Sequence, residues 1–224
     1  MSAAIWVIMY DLNSNREAEY LDWFHSVHVP EKLARPGYTW AAHYAVERND
    51  AETAAADGNK GYIALFGGTS TSIFYNPSPA QLAPTQPPET KDMMGCRVNS
   101  KALILAVEWA ADGDGVIGDG PSTAINAPMI SLALSEVAGN DMDFGAWLVQ
   151  EHLPAMAADP GCTGAHKLLA STGGARHALL HQFAEAAVLM DLATPDSREW
   201  SARVAAYTDH PLGGPLRAKR LWPA

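Results

Sequence analysis

The sequence predicts an α+β protein in which two tandem β-α-β-β-α-β modules close a barrel within one chain. Three observations predict it: a motif stated twice at one displacement, the same order of strand-like and helix-like segments in each half, and a glycine-rich stretch between the halves. Trp23, His28, Pro30, Pro36 and Gly37 recur as Trp147, His152, Pro154, Pro160 and Gly161, each 124 positions later (147 − 23 for the first pair). Ala34/Ala158, Thr39/Thr163, Ala41/Ala165, Ala3/Ala127 and the aromatic pair Tyr20/Phe144 keep the same register. Chance seldom places five such residues at identical spacings, so the pattern reads as an internal duplication. Two long repeats imply two similar modules facing each other, because a solenoid needs several short ones.

Residues 4–12 are rich in β-branched and aromatic types and read as a largely buried first strand. Asn13-Ser14-Asn15 offers cap-type side chains, and Tyr20, Trp23, Phe24 and Val27 then fall on the i, i+3, i+4, i+7 stripe of a helix packed on a sheet. His28 is the next position on that stripe. Pro30 disfavours helical geometry at Val29, so the helix is expected to stop or kink just past His28, with a short restart at Pro30 before Pro36-Gly37 closes it.

Tyr38–Val46 reads as a second strand, with Trp40, Ala42 and Tyr44 on one face and Ala41, His43 and Ala45 on the other. Residues 48–60 are polar and read as a connection, 61–66 as a third strand and 101–109 as a fourth. The proline-rich Asn76–Pro88 stands where a second helix belongs, so that helix must be short or displaced. This element order is the ferredoxin-like unit. The expected boundaries are 1–110 for the first module, 111–126 for the glycine-rich linker and 127–224 for the second module. The second repeats the plan with strands at 129–137, 161–170, 175–184 and 216–222, and helices at 143–158 and 197–208. Each four-stranded sheet would leave one apolar face bare, and two linked copies can bury those faces against each other as an intramolecular, dimeric-type α+β barrel.

Composition narrows the function classes. With 48% hydrophobic and 18% charged residues the chain is ordinary for a globular protein of 224 residues. A formal net charge of −10 and the lack of any Lys/Arg run argue against nucleic-acid or anionic-membrane surfaces. The N-terminus has no basic region and no apolar run is long enough to span a bilayer, so a soluble, cytoplasmic protein is expected. Cys96 and Cys162 are too few for a disulfide framework and read as reduced thiols.

Trp-x4-His-x-Pro on a first helix, followed by Pro-Gly and a strand, resembles the EthD-like branch of the dimeric α/β-barrel superfamily. Both copies carry the motif, so the resemblance spans nearly the whole chain. It implies relatives among polyketide cyclases, dehydratases, muconolactone-type isomerases, small cofactor-free monooxygenases, and haem-binding peroxidases and chlorite dismutases. It also implies a pocket between the sheet and helices of a module. The proline-rich stretch in the first module departs from that plan.

His28 and His152 are the matching helix histidines and the first candidates for general acid/base work. A position near a helix C-terminus favours imidazolium and burial opposes it. The second module adds His166, His177 and His181. A pocket lined by His152, His166 and one of His177/His181 is the functional reading of these residues. Two histidines on one strand face could bind a metal, but no carboxylate stands at a fixed spacing beside them, so no metal is expected. Catalysis is therefore assigned to His152, His28, His177 and His166, and substrate contact to Trp23, Trp147, Tyr62, His181 and Tyr44. His25, one position off the stripe, reads as solvent-facing.

The leading expectation is a cofactor-free acid/base enzyme, an isomerase, cyclase, dehydratase or related lyase, acting on a small hydrophobic or aromatic molecule. The rivals are a haem enzyme with one of those histidines as axial ligand, and a non-catalytic small-molecule binder. The second module is the favoured site, with the proline-rich loop as a lid over His28 in the opposing view. The expected partner is a small-molecule substrate, without nucleic acid or membrane, and any homodimer is expected to form through helices or loops.

Overall fold

The computed structural model describes residues 3–48, 58–112, 117–118, 125, 127–159, 161–184, 199–212 and 214–223. Most of the expected linker, Pro160 and the first two residues of the expected last helix lie outside the described residues. Strands β1 (Ala4–Leu12), β2 (Tyr38–Val46), β3 (Lys60–Gly68) and β4 (Arg97–Asp112) come from the first half. A two-residue β5 (Ile117–Gly118) pairs with the end of β4. The second half supplies β6 (Met129–Val137), β7 (Cys162–Thr172), β8 (His177–Phe183), a two-residue β9 (Thr208–Asp209) and β10 (Leu216–Trp222).

Eight of these strands form one closed antiparallel barrel, in the order β1-β3-β2-β10-β6-β8-β7-β4 and back to β1. Within the first half the neighbours run β4-β1-β3-β2, and within the second β10-β6-β8-β7, which is the same order of first, second, third and fourth strands. The two seams, β2 with β10 and β4 with β7, each join the second strand of one half to the fourth of the other. Closure leaves the eight strands without an open edge.

Alternation sorts the strand residues into two layers. Ile5, Val7, Leu65, Leu103, Ile130, Leu132, Leu168 and Leu180 point inward and form the barrel core. Trp6, Ile8, Tyr10, Ala64 and Phe66 point outward and pack against the first-half helix residues Tyr20, Trp23 and Phe24. Ala165 and Leu179 do the same against Phe144, Leu148, Leu153 and Val204. Trp40 lies inside, opposite Gly67 in register, and a Cβ on Gly67 would stand 2.1 Å from its indole nitrogen. Glycine is therefore required there.

The first motif helix kinks and restarts around Pro30 as the sequence allows, and the form of the kink, a π turn, is the same in both halves. Glu17–Trp23 is α-helical, Phe24–His28 is a π turn, and Val29–Leu33 continues as α-helix with Pro30 inside its first turn. The second half repeats this as Asp141–Trp147, Leu148–His152 and Leu153–Ala157. The Val29 amide bonds the Phe24 carbonyl, and the Leu153 amide bonds that of Leu148, five residues back in both cases. The proline brings no amide hydrogen to a tighter turn, and the wider turn lets the chain pass it without breaking. Gly37 and Gly161 follow with φ of 89° and 88°, left-handed conformations suited to glycine.

The proline-rich segment holds a short helix, Pro79–Leu82, started by a Ser78/Gln81 capping box. A seven-residue helix, Pro88–Met94, begins at its last proline. The observed β4 and β7 are longer than expected, and the last helix is Glu199–Tyr207. No described helix is long and apolar enough to cross a membrane.

Candidate functional site

On the outer face of the first-half sheet, β1, β2 and β3 present Tyr10, His43 and Tyr62 side by side. The ring centroids are 6.0 Å apart for Tyr10–His43, 5.9 Å for Tyr10–Tyr62 and 5.4 Å for His43–Tyr62, all stacked. His43 is fully buried, and both ring nitrogens are bonded: Nε2 lies 2.8 Å from the Tyr10 hydroxyl and Nδ1 lies 2.8 Å from His25 Nε2. His25 is half-buried and stacks on Trp222 at the end of β10. A hydrogen-bonded chain thus leads from the helix surface through His25 and His43 to a buried phenol. Burial, then the neighbouring His25 and Arg97, hold His43 well below the usual imidazole range, so it is neutral. Burial raises Tyr10 well above the usual phenol range, so it keeps its proton.

Arg97, at the start of β4, closes this cluster. Its guanidinium sits 4.4 Å above the Tyr10 ring and 5.4 Å from that of Phe24, and its Nε donates to the Tyr20 hydroxyl. One terminal nitrogen, Nη2, is buried without an acceptor among the described residues. The same holds for the Trp23 indole nitrogen and His28 Nδ1. His28 packs on Trp23 at 4.8 Å and on Phe24 at 5.4 Å. Burial, followed by the charges of Lys32, Arg97 and Arg35, pushes His28 down to about 2. Buried polar groups normally find partners, so three unanswered nitrogens around one wall mark a place where a bound molecule or water completes the bonding.

The second half is built differently at equivalent positions. His152 stacks on Trp147 at 4.5 Å and meets His181 edge-on at 5.9 Å. Burial lowers His152 to about 4, and lowers His181 to about 3 with help from His152 and His166. The Trp147 indole, unlike that of Trp23, has an acceptor in Ser201 Oγ at 3.2 Å. Lys167 stands on β7 where His43 stands on β2; it pairs with Glu108 and lies 5.2 Å from the Trp109 ring.

The structure separates some of the residues that the sequence grouped. His166 pairs with Leu180 in register and shares the inner face of Leu168, so it lies across the sheet from His152 and His181. His177 is held at 3.1 Å by Asp141, which also pairs with Arg176, and Leu179 separates it from His181 along β8. Tyr44 points into the barrel and donates to the Ala127 carbonyl at 3.1 Å, while Tyr62 faces the first-half cluster and donates to Glu17 at 2.6 Å. His25 is half-buried and bonded, not solvent-facing, because the π turn rotates it toward the sheet. Sequence reasoning left out His43, Arg97, Tyr20 and Lys32. The alternation of β2 had already put His43 on the face opposite Tyr44, which was the available signal.

An axial haem histidine needs its second ring nitrogen held by an acceptor and an open face for the macrocycle. His28 and His152 each bury Nδ1 without a partner, and each ring is covered by a tryptophan. These surroundings do not fit such a ligand. Among the described residues no three His, Cys, Asp or Glu side chains converge as a metal-binding group.

No family model matches the sequence, and no curated protein matches it. Solved structures do match in fold. An anthrone oxidase-like protein aligns over 99% of this chain and 94% of its own, with a TM-score of 0.64 and 12% identity. A candidate monooxygenase from Fusobacterium nucleatum aligns over 97% and 90%, at 0.58 and 12%. This is the fold of the dimeric α/β barrels. A chlorite dismutase mutant from Candidatus Nitrospira defluvii shares it over 99% of this chain and 92% of its own, at 0.56 and 8% identity. The present barrel is completed within one chain.

Proposed function

We propose that this chain is an enzyme that moves a proton on a small aromatic or enolisable molecule, held between the helical segment 17–33 and the outer face of the first-half sheet. The observation that carries the proposal is the His25–His43–Tyr10 chain ending beside Arg97. A substrate proton passes to the Tyr10 oxygen as the Tyr10 proton moves to His43 Nε2, the His43 Nδ1 proton moves to His25 Nε2, and the half-buried His25 releases its own Nδ1 proton to solvent. The reverse sequence returns a proton. Neither a phenolate nor an imidazolium need persist in the buried cluster, in keeping with the neutral state of His43 and the protonated state of Tyr10. Arg97 faces the charge that appears on the substrate oxygen.

The second half supports this role less well, because the position of His43 holds a lysine engaged with Glu108. Isomerisation, cyclisation and elimination all use such an anion. So would a cofactor-free reaction with dioxygen, which the names of the monooxygenase-like and anthrone oxidase-like neighbours bring into view. We read the two halves as diverged copies of an EthD-like module. Turnover of a panel of phenols and enolisable ketones, followed together with oxygen uptake, tests the proposal. His43→Phe, folded by circular dichroism, should lose at least about a hundredfold in turnover. Full turnover in that variant, with loss in His152→Ala, would place the chemistry in the second half.

A further inference from the structure

Beyond the proton relay, the helical segment that carries His25 also carries a cation that the relay does not use. Lys32, on the helix that follows the π turn, is 7% exposed, and its ammonium lies 5.7 Å from the centroid of the Trp6 ring. No carboxylate pairs with it among the described residues; Glu31, its nearest acidic neighbour in sequence, is exposed. A buried ammonium without a counter-ion is costly, and such groups ordinarily pair or lose their charge. Arg35 and Arg97 add positive charge around Lys32, and exposed Glu31 offsets them only in part. Burial first, then these two cations, lower its pKa to about 8. Trp23 Nε1 and His28 Nδ1, also buried and unpartnered, lie on the same helical segment. The buried side chains packed with this helical segment are aromatic, Trp6, Phe24, Phe66 and Phe74 among them.

We propose that the substrate is an aromatic carboxylic acid, whose carboxylate is received by Lys32 while its ring lies along the aromatic wall. The inference rests on the first-half slot being the active site, as proposed above. Lys32 here is a binding group, and the anion supplies the paired counter-charge that no described carboxylate provides. The Trp23 and His28 nitrogens are placed to donate to the same carboxylate or to a water beside it.

The test compares 4-hydroxybenzoate and 4-hydroxycinnamate with their methyl esters on the intact protein, by calorimetry and by the fluorescence of the tryptophans that line the slot. The acids should bind about ten- to a hundredfold more tightly than the esters, the scale of one charge-assisted bond. Lys32→Met, which keeps the length and apolar stem, should remove that preference and leave ester binding unchanged; Lys32→Arg should restore part of it. Equal binding of acid and ester by the unmodified protein would overturn the inference, as would a preference that survives in Lys32→Met. The outcomes tell the two proposals apart. Acids that bind through Lys32 but are never turned over would leave Lys32 as a carboxylate-binding group, and would sink both the relay and the claim that such acids are substrates. Turnover of neutral phenols that depends on His43 and ignores Lys32 would leave the relay standing and sink this inference.

Discussion

Acidification should unfold this protein steeply, and the slope can be worked from four histidines. His28, His43 and His181 are 4%, 0% and 5% exposed, His152 is part-buried, and burial lowers all four: His28 to about 2, His181 to about 3, His152 to about 4 and His43 well below its ordinary value. Their folded pKa values lie below that of the unfolded chain, about 6.5. Above that value both states are neutral at these sites and stability does not depend on pH. As pH falls below it, the unfolded chain takes up protons that the folded chain refuses, so stability falls. Each such proton costs about 1.4 kcal/mol per pH unit. Four together cost about 7–8 kcal/mol between pH 7 and 5, comparable with the whole stability of a typical domain. The carboxylates held low by partners, such as Glu17 beside Lys60 and Tyr62, act only at more acid pH and leave this window clear. Urea unfolding at pH 7, 6, 5.5 and 5 measures the slope, and His181→Leu should remove about a quarter of it. A stability that changes by less than one proton's worth over that range would refute the reasoning.

Two further predictions concern packing and docking. Gly67→Ala sets a methyl group against the Trp40 indole in the filled barrel, and should lower stability by about 1–3 kcal/mol with an unchanged urea m-value; an unmoved midpoint would mean that the indole is free to turn. Asp143 accepts from Trp200, Arg203 and Tyr207, which ties the helix Glu199–Tyr207 to the motif helix. Asp143→Ala should therefore speed amide hydrogen exchange across Glu199–Tyr207 while leaving β1 protected, and uniform protection of both would show the helix to be held by other contacts.

Much of the fold was legible because strand alternation is a strong signal. The inward set Trp40, Ala42, Tyr44 and the outward set Ala41, His43, Ala45 were separable from the order of residues alone. The π turn was not legible: local rules place a break before Pro30, and the cost is avoided by widening a turn, which leaves no mark in composition. For the candidate site, the motif drew attention to His28 and His152. Repetition marks what both halves share, whereas His25, His43 and Arg97 belong to one half. Their meeting depends on contacts 18 and more positions apart in sequence, as between His25 and His43. His166 was misplaced for the opposite reason, since proximity in sequence to the second-half motif says nothing about which face of β7 it occupies.

The seams β2–β10 and β4–β7 have a consequence for how such a protein can change. Where identical subunits close a barrel of this kind, every substitution appears in both pockets at once, and a residue useful in one must be tolerated in the other. Here each position is encoded once. A histidine at 43 and a lysine at 167 occupy matching places on the two faces, each with its own partners, and neither constrains the other. The covalent barrel therefore allows one slot to be tuned while the other is left to hold the wall together.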